Sequence, residues 1–319
     1  MRLACDPILI EEVVFLALRR AGERDAEARR FRQRSEQAYR LRDPEERDAA
    51  FAALNTEFFE RLGLDDAVRK LLAEHAEALA RVQTFLLQAV FSNKEEGAEL
   101  YGQHGIFTVA LRIRPETLAD RALTERLCRH EFLHLADMLD PVFAYDPHTR
   151  FPGQTQAQQN LARDRFCALW DLRIDARLIA AGHLGAQPRE VHASRFQKLF
   201  GAGAGADDVF AGLFDGDGLL HATHAGLLAA ATTPGRLATF AGMDVPWRAE
   251  PSASPPCLAC GFPSRVWAAH PERIPEAALR DLRLRLPHWT PEQGLCRHCE
   301  EMLQCSASAG GWVEAQERP

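Results

Sequence analysis

Two pairs of cysteines near the C-terminus constrain the fold of this chain more than any other feature. Cys257 and Cys260 form one CxxC pair, and Cys296 and Cys299 form the other. Each pair makes a tight turn that aims two thiolates at one ion, and two such turns complete a tetrahedral zinc site with four cysteine ligands. The pairs are separated by 35 residues, more than the usual spacing of about 15–20. We therefore expect an inserted element between them, the segment IPEAALRDLRLRL.

Composition and charge exclude several classes of protein. Of the 319 residues, 46% are hydrophobic and 26% are charged, which is typical of globular proteins and excludes a disordered chain. No run approaches the roughly 18 uncharged apolar residues of a membrane-spanning helix. The first residues, MRLACDPILIEEVVF, meet acidic side chains before an apolar core has formed, so we expect no cleaved export signal and a cytoplasmic protein. The net charge of −7 gives no general attraction to nucleic acid or anionic membranes.

The spacing of apolar residues predicts a mainly helical chain of the α+β class. Residues 7–91 carry an almost continuous helical pattern, and its last helix is expected to run from residue 65 to residue 91. Apolar and polar residues alternate over residues 106–113, which predicts a short strand at a sheet edge. Two further helices are predicted over about residues 120–139 and 160–181. A linker, PSASPP, precedes the cysteine pairs.

The strongest catalytic signal is the sequence HEFLH in the middle of the first of these two helices. Residues four apart on a helix share a face, so His130 and His134 can bind one zinc ion together. Glu131 lies beside them, where it can accept a proton from water bound to the metal. Leu123 and Leu127 continue the line of the two histidines toward the N-terminus. We therefore expect this face of the helix to point into the protein interior.

This arrangement resembles the zincin metallopeptidases, in which an HExxH helix follows a strand and a later helix carries acidic residues. The resemblance covers about residues 97–185 and implies zinc binding by His130 and His134. In the gluzincin branch the third ligand is a glutamate on the later helix, followed four residues on by an aspartate. Asp171 and Asp175 match these positions, so the resemblance implies that Asp171 binds zinc and Asp175 orients a ligand histidine. Aspartate here replaces glutamate, and its shorter side chain requires a closer approach of the two helices.

Other residues also qualify as the third ligand. Asp140 stands where the metzincin branch places its last ligand, although Asp137 replaces the glycine that turns the chain there. His148 resembles the late histidine of SprT-like proteases, although the flanking glycine of that family is absent. Asp137 itself lies on the histidine face and suits a role in orienting a ligand. Alternatively, Asp171 and Asp175 form salt bridges with arginines of their own helix and bind no metal.

A peptidase of this type also needs a residue that stabilises negative charge on the reacting peptide carbonyl. Zincins use a tyrosine, histidine or arginine near the metal for this purpose. Tyr145 is our candidate because it follows the HExxH helix closely and is one of only three tyrosines in the chain. His221 and His224 are alternatives because they lie on one turn.

Together these motifs predict three regions and a function. Residues 1–95 form a helical N-terminal region, residues 96–250 a zincin-like catalytic domain, and residues 251–319 a small domain that resembles a zinc ribbon. The expected protein is a cytoplasmic zinc metallopeptidase with one catalytic and one structural zinc ion. It would hydrolyse a protein or peptide with zinc-bound water activated by Glu131. The ribbon is also a candidate contact for a protein partner.

Two other functions are consistent with the same residues. The first is a non-catalytic adaptor or maturation factor that keeps a zincin scaffold and acts through its ribbon. The second is an enzyme whose histidine and acidic ligands bind iron for a different reaction. The four cysteines are also compatible with a redox dithiol or an iron–sulfur cluster. Basic and acidic residues are nearly balanced between Arg265 and Arg297, which does not favour nucleic-acid binding.

Overall fold

The structure is a computed structural model that divides into two compact units. Unit 1 comprises Met1–Tyr145 and Ile174–Gln187, and unit 2 comprises Asp146–Arg173 and Pro188–Pro319. The residues that the structure describes are 1–103, 105–153, 156–183, 189–201, 205–243, 257–262, 264, 268, 274–286, 289 and 295–304. No helix in this part of the chain is long and apolar enough to cross a lipid bilayer. The prediction of a mainly helical α+β chain is confirmed.

Four helices form the N-terminal part of unit 1: α1 (Pro7–Ala21), α2 (Ala26–Tyr39), α3 (Pro44–Arg61) and α4 (Asp66–Glu74). Aspartate side chains fix the starts of the first three, because each accepts hydrogen bonds from amides of the first turn. Proline is the first residue of α1 and α3, where its missing amide costs no hydrogen bond. The predicted helical pattern therefore extends to the end of α4.

The long helix predicted beyond α4 is wrong. Turns follow α4, and the chain then forms strand β2 (Val82–Ala89). The pairing register of β2 shifts between Val82 and Thr84, so its buried residues Val82, Phe85 and Leu87 are not evenly alternating. A spacing of three between buried residues imitates a helix. Pairing with strands on both sides determines the conformation here, and this non-local effect overrides the local pattern.

A four-stranded sheet lies beside these helices in the described part of unit 1. Strands β1 (Arg2–Cys5), β2, β3 (Gly97–Gln103) and β4 (Ile106–Ile113) stand in the order β1-β2-β4-β3. Strands β1, β2 and β4 run parallel to one another, and β3 runs antiparallel to β4. The predicted strand is confirmed as β4, but it lies inside the sheet. The strand at that edge is β3, which the alternation pattern did not indicate.

Helix α6 (Arg121–Leu139) carries the HEFLH sequence and follows a short helix, α5 (Pro115–Leu118). Its core-facing residues are Cys128, Phe132 and Leu135, all fully buried. The ring of Phe132 lies edge-on to that of Phe85 in β2, with 5.4 Å between the ring centroids. Burial raises the pKa of the Cys128 thiol, which therefore stays protonated and apolar. At about 100° per residue, this packing turns the histidine face of α6 away from the sheet.

Further helices are α7 (Gln156–Ala180), α8 (Arg189–Phe200), α9 (Ala206–Asp215), α10 (His224–Thr232), α11 (Leu237–Phe240) and α12 (Glu276–Arg285), and residues 297–304 are also helical. The end of α7 agrees with the prediction, because Gly182 with φ +71° turns the chain there and its amide donates to the carbonyl of Ile179. The element expected between the cysteine pairs is confirmed as α12. The predicted linker at residues 251–256 lies outside the described residues.

Candidate metal centres

The imidazole rings of His130 and His134 face each other on α6. Their Nε2 atoms are 3.1 Å apart, and their ring centroids are 4.8 Å apart. Two nitrogen ligands bound to one tetrahedral zinc ion at about 2.0–2.1 Å stand about 3.3 Å apart. The spacing of the two nitrogen atoms therefore fits a shared zinc ion, as the four-residue spacing in the sequence predicted.

The side chain of Asp175 on α7 orients His130. Its Oδ1 atom lies 3.0 Å from Nδ1 of His130, and the aspartate side chain is only 1% exposed. A carboxylate only accepts hydrogen bonds, so we infer that Nδ1 of His130 carries the ring proton. The lone pair is then on Nε2, the atom that faces His134. A carboxylate behind a histidine ligand is the usual arrangement in zinc sites, where it fixes the ring and raises its basicity.

Asp171 lies one turn before Asp175 on α7 and therefore on the same face of that helix. Asp171 belongs to unit 2, whereas His130 and His134 belong to unit 1, and the role of Asp171 as the third ligand stays a prediction. Arg195 of α8 donates a hydrogen bond to Oδ2 of Asp171. Hydrogen bonds of this kind commonly orient a carboxylate that binds a metal.

The arginines of α7 make contacts that the salt-bridge alternative did not anticipate. Arg177 donates to Oδ1 of Asp137, a buried residue of α6, at 2.7 Å. Arg173 is itself buried and donates to the backbone carbonyls of Leu219 and Leu220 at 3.0 and 3.1 Å. Each arginine thus serves a buried polar group that lies far away in sequence. Asp137 was predicted to orient a ligand, and this role stays a prediction.

Glu131 connects α6 to the edge strand β3. Its Oε2 atom accepts a hydrogen bond of 2.8 Å from the backbone amide of Ala98. The other carboxylate oxygen makes no hydrogen bond with any residue that the structure describes. One oxygen of Glu131 is therefore held in place by the sheet, and the other is available to accept a proton.

The histidine face of α6 does not point into the protein interior, and this prediction is wrong. Leu123 is 42% exposed, and Leu127, His130 and Asp175 line a cavity of about 410 Å³ in unit 1. The core-facing residues of α6 occupy the opposite side of the helix, so the histidine face is the one left for the cavity. The side chains of His130 and Leu127 are therefore accessible from this cavity.

The other residues considered as ligands lie in different surroundings. Asp140 is the C-cap residue of α6. Its side chain accepts a hydrogen bond of 2.8 Å from the backbone amide of Val142, as aspartates in turns commonly do. His148 is exposed and belongs to no group of potential metal ligands among the described residues. Tyr145 is half-buried and follows Ala144, whose φ of +54° places it in the left-handed region. The catalytic role of Tyr145 stays a prediction.

The two alternative histidines belong to unit 2. His221 is exposed. His224 is buried, with its ring edge-on to Phe166 and its Nε2 atom 3.4 Å from Oγ1 of Thr149. Burial lowers the pKa of His224, and nearby Asp146 opposes this change. The packing of His224 is that of a core histidine.

The four paired cysteines converge as the spacing predicted. The sulfur atoms of Cys257, Cys260, Cys296 and Cys299 lie within 4.8 Å of one another. Those of Cys260 and Cys296 are 3.7 Å apart, and two thiolates bound to one zinc ion at about 2.3 Å stand about 3.8 Å apart. All four are free thiols. This cluster can hold a metal ion such as zinc.

Local backbone geometry explains why the first CxxC pair forms a compact turn. The amide of Gly261 donates to the carbonyl of Cys257 at 2.7 Å, and the φ of Gly261 is +74°. The amide of Cys257 in turn donates to the carbonyl of Phe262 at 2.9 Å. The second pair is tied to the first by the amide of Cys296, which lies 3.3 Å from Sγ of Cys257. Around the cluster is a small apolar core of Ile274, Leu279, Leu282, Trp289 and Leu295.

Three supporting residues could not be identified from the sequence. Ala98 contributes only its backbone amide, so no side-chain pattern marks it. Arg195 is one of many arginines, and the sequence holds no signal that pairs it with Asp171. Asn93 lines the cavity beside His130, but the sequence indicated only that the helical pattern breaks there.

Comparisons with known proteins identify no family. No protein-family model matches the chain, and neither a curated protein nor a solved structure does. The resemblance to zincins therefore rests on the HExxH motif and the later pair of aspartates.

Proposed function

We propose that this protein is a zinc-dependent metallopeptidase whose active site lies on α6. The observation that carries the proposal is the geometry of His130, whose Nε2 faces His134 while Nδ1 faces the buried carboxylate of Asp175. A buried carboxylate is costly unless hydrogen bonds or positive charge compensate it. A histidine that binds a cation supplies both: its Nδ1–H donates a hydrogen bond to the carboxylate, and the bound cation brings positive charge close to it. Two histidines merely stacked in a core would not need this arrangement.

The ligand set in this proposal is His130, His134 and Asp171, with Asp175 and Arg195 as positioning residues. Two histidines and one carboxylate are a usual set for catalytic zinc, which leaves a coordination position for water or substrate. When bound, zinc would supply a positive charge that lowers the pKa of water and polarises a peptide carbonyl. The other tasks fall to residues of this chain.

Glu131 is the general base in this proposal. The oxygen atom without a hydrogen-bond partner among the described residues would accept the proton that the attacking water loses. It would later pass that proton to the amine of the departing peptide. The hydrogen bond from Ala98 keeps the carboxylate from rotating away, so the base is oriented before the substrate binds.

Strand β3 offers a place for an extended substrate. In an antiparallel pair the backbone groups of alternate residues face the neighbouring strand, and those between them face outward. The amide of Ala98 donates to Glu131, so the outward-facing groups are those of Ala98, Leu100 and Gly102. A peptide could add to this edge as a further strand and pass beside Glu131. We propose that substrates bind in this way.

The test of the proposal compares the wild-type protein with Glu131→Gln. Glutamine keeps the size and the hydrogen bond to Ala98 but cannot take a proton. Hydrolysis of an unfolded protein such as casein should fall by about a hundredfold or more, the usual scale for loss of a general base. Glu125→Gln is the matched control, because Glu125 lies on the same helix and pairs with the exposed Arg121.

The comparison also separates the metallopeptidase from the alternative of a non-catalytic scaffold. Equal cleavage by the wild-type protein and Glu131→Gln would show that another protease caused it. That result would favour an adaptor that acts through its cysteine cluster. Loss of cleavage in Glu125→Gln as well would assign the effect to stability.

A further inference from the structure

The cavity beside His130 has a definite chemical character. Its volume is about 410 Å³, within the range of small-molecule pockets. It reaches the metal-binding residues through His130 and Asp175, and neither Glu131 nor His134 lines it. Its other walls combine apolar and charged side chains, namely Leu123, Leu127, Thr117, Asn93, Glu96, Arg114 and Arg126. The cavity therefore lies beside the metal ligands and separate from the general base.

One of the two arginines in this cavity is already neutralised. The Nε atom of Arg114 lies 3.1 Å from Oε2 of Glu96, whose side chain is only 12% exposed. The Nη2 atom of the same arginine donates to Oγ1 of Thr117 at 3.1 Å. These contacts fix Arg114 as part of the wall, and its charge is balanced within the cavity.

The other arginine is not neutralised. The guanidinium of Arg126 makes no ion pair and no hydrogen bond with any residue in the described part of the chain. It lies one turn before His130 on α6 and on the same side of that helix. Glu96 pairs with Arg114, and the buried carboxylate of Asp175 is hydrogen-bonded to the ring of His130. Of the charged side chains that line the cavity, Arg126 is thus the one without an ionic partner or a hydrogen bond among the described residues.

We propose that this cavity binds an acidic group of the substrate and that Arg126 sets the preference. The inference rests on the metallopeptidase proposed above and specifies its substrates. Leu123 and Leu127 would contact the aliphatic part of the bound residue, and the guanidinium of Arg126 would pair with its carboxylate. Substrates would therefore carry aspartate or glutamate, or a free C-terminus, close to the bond that is cleaved.

Binding to the zinc-loaded Glu131→Gln protein tests this proposal without turnover. Fluorescently labelled peptide pools with one fixed residue, either glutamate, glutamine or lysine, would be compared by fluorescence anisotropy. Each pool would be made with a free C-terminus and with an amidated one, which distinguishes a side-chain carboxylate from the terminal one. A hydrogen bond to a charged group predicts that the preferred carboxylate binds about 10-fold or more tightly than its neutral counterpart.

The substitution Arg126→Glu in the same background should remove that preference and favour the lysine pool. Arg121→Glu is the control, because this substitution changes the charge of the same helix by the same amount at a residue that does not line the cavity. Equal binding of acidic and neutral pools, or an unchanged preference in Arg126→Glu, would overturn the proposal. Peptide cleavage is measured separately with the wild-type protein, so that the anion site and the metallopeptidase activity are tested independently. Acidic peptides that bind through Arg126 but are not cleaved would contradict the proposed peptidase activity and support the anion site.

Discussion

The Nδ1 atom of His130 lies 3.0 Å from Oδ1 of Asp175, across 45 positions in sequence. This contact links the HExxH helix to the later acidic helix and gives His130 the tautomer that a metal ligand requires. The buried carboxylate of Asp175 accepts this hydrogen bond and thereby helps to orient the imidazole of His130.

The first prediction concerns this contact. In Asp175→Asn the side chain keeps its shape but loses its charge, so it no longer raises the basicity of His130. Affinity for zinc should fall by about 10- to 100-fold, the usual effect of removing such a partner. Competition with a chromophoric chelator measures this change, with the cysteine cluster blocked by Cys257→Ser. Unchanged affinity would mean that Asp175 serves only the fold.

The second prediction concerns Asp171. If it is the third ligand, Asp171→Ala should empty the α6 site at zinc concentrations that fill the wild-type site, because two histidines alone bind zinc weakly. Asp164→Ala is the matched control, since Asp164 lies on the same helix and is exposed. Metal content after dialysis measures both variants. If zinc still fills the α6 site of Asp171→Ala completely, another residue must be the third ligand.

The third prediction concerns the cysteine cluster. The apolar core around it is small, so the metal should supply much of its stability. Cys257→Ser or removal of zinc by a chelator should make residues near α12 susceptible to proteolysis while unit 1 stays resistant. Limited proteolysis with mass spectrometry follows both parts in one experiment. Resistance of the α12 region without metal would show that its apolar contacts suffice.

The fourth prediction concerns the packing behind the HExxH helix. Phe132 is fully buried against Phe85, so Phe132→Ala should lower the free energy of unfolding of unit 1 by about 3–5 kcal/mol. Phe91→Ala removes an exposed ring of the same size and should change it by less than about 0.5 kcal/mol. Urea unfolding measures both. Similar losses in the two variants would contradict the assigned packing.

The features that were predicted correctly from the sequence are determined by residues close together in the chain. Helix α6 was expected over about residues 120–139, and the structure shows that the side chain of Asp120 caps its first turn. The shared face of His130 and His134 follows from helical periodicity alone. The cysteine cluster follows from two local turns. Each of these signals is contained within a few neighbouring residues.

What the sequence did not reveal depends on contacts between distant segments. Strand β2 imitates a helix because its register shifts at Val82, and only its neighbours in the sheet decide its conformation. The histidine face was expected to be buried because Leu123 and Leu127 continue it. The opposite face of α6, with Phe132, is instead the face that packs into the core. The apolar residues on one face of a helix do not show which of its faces will pack against the rest of the protein.

The number of zinc ions per chain, measured by mass spectrometry of the purified protein and its variants, tests both metal centres most directly. We expect two ions in the wild-type protein. We expect one in His130→Ala, which keeps the cysteine cluster, and one in Cys257→Ser, which keeps the α6 site. A wild-type protein with a single ion that His130→Ala retains would contradict the metal centre on α6, and with it the proposed metallopeptidase.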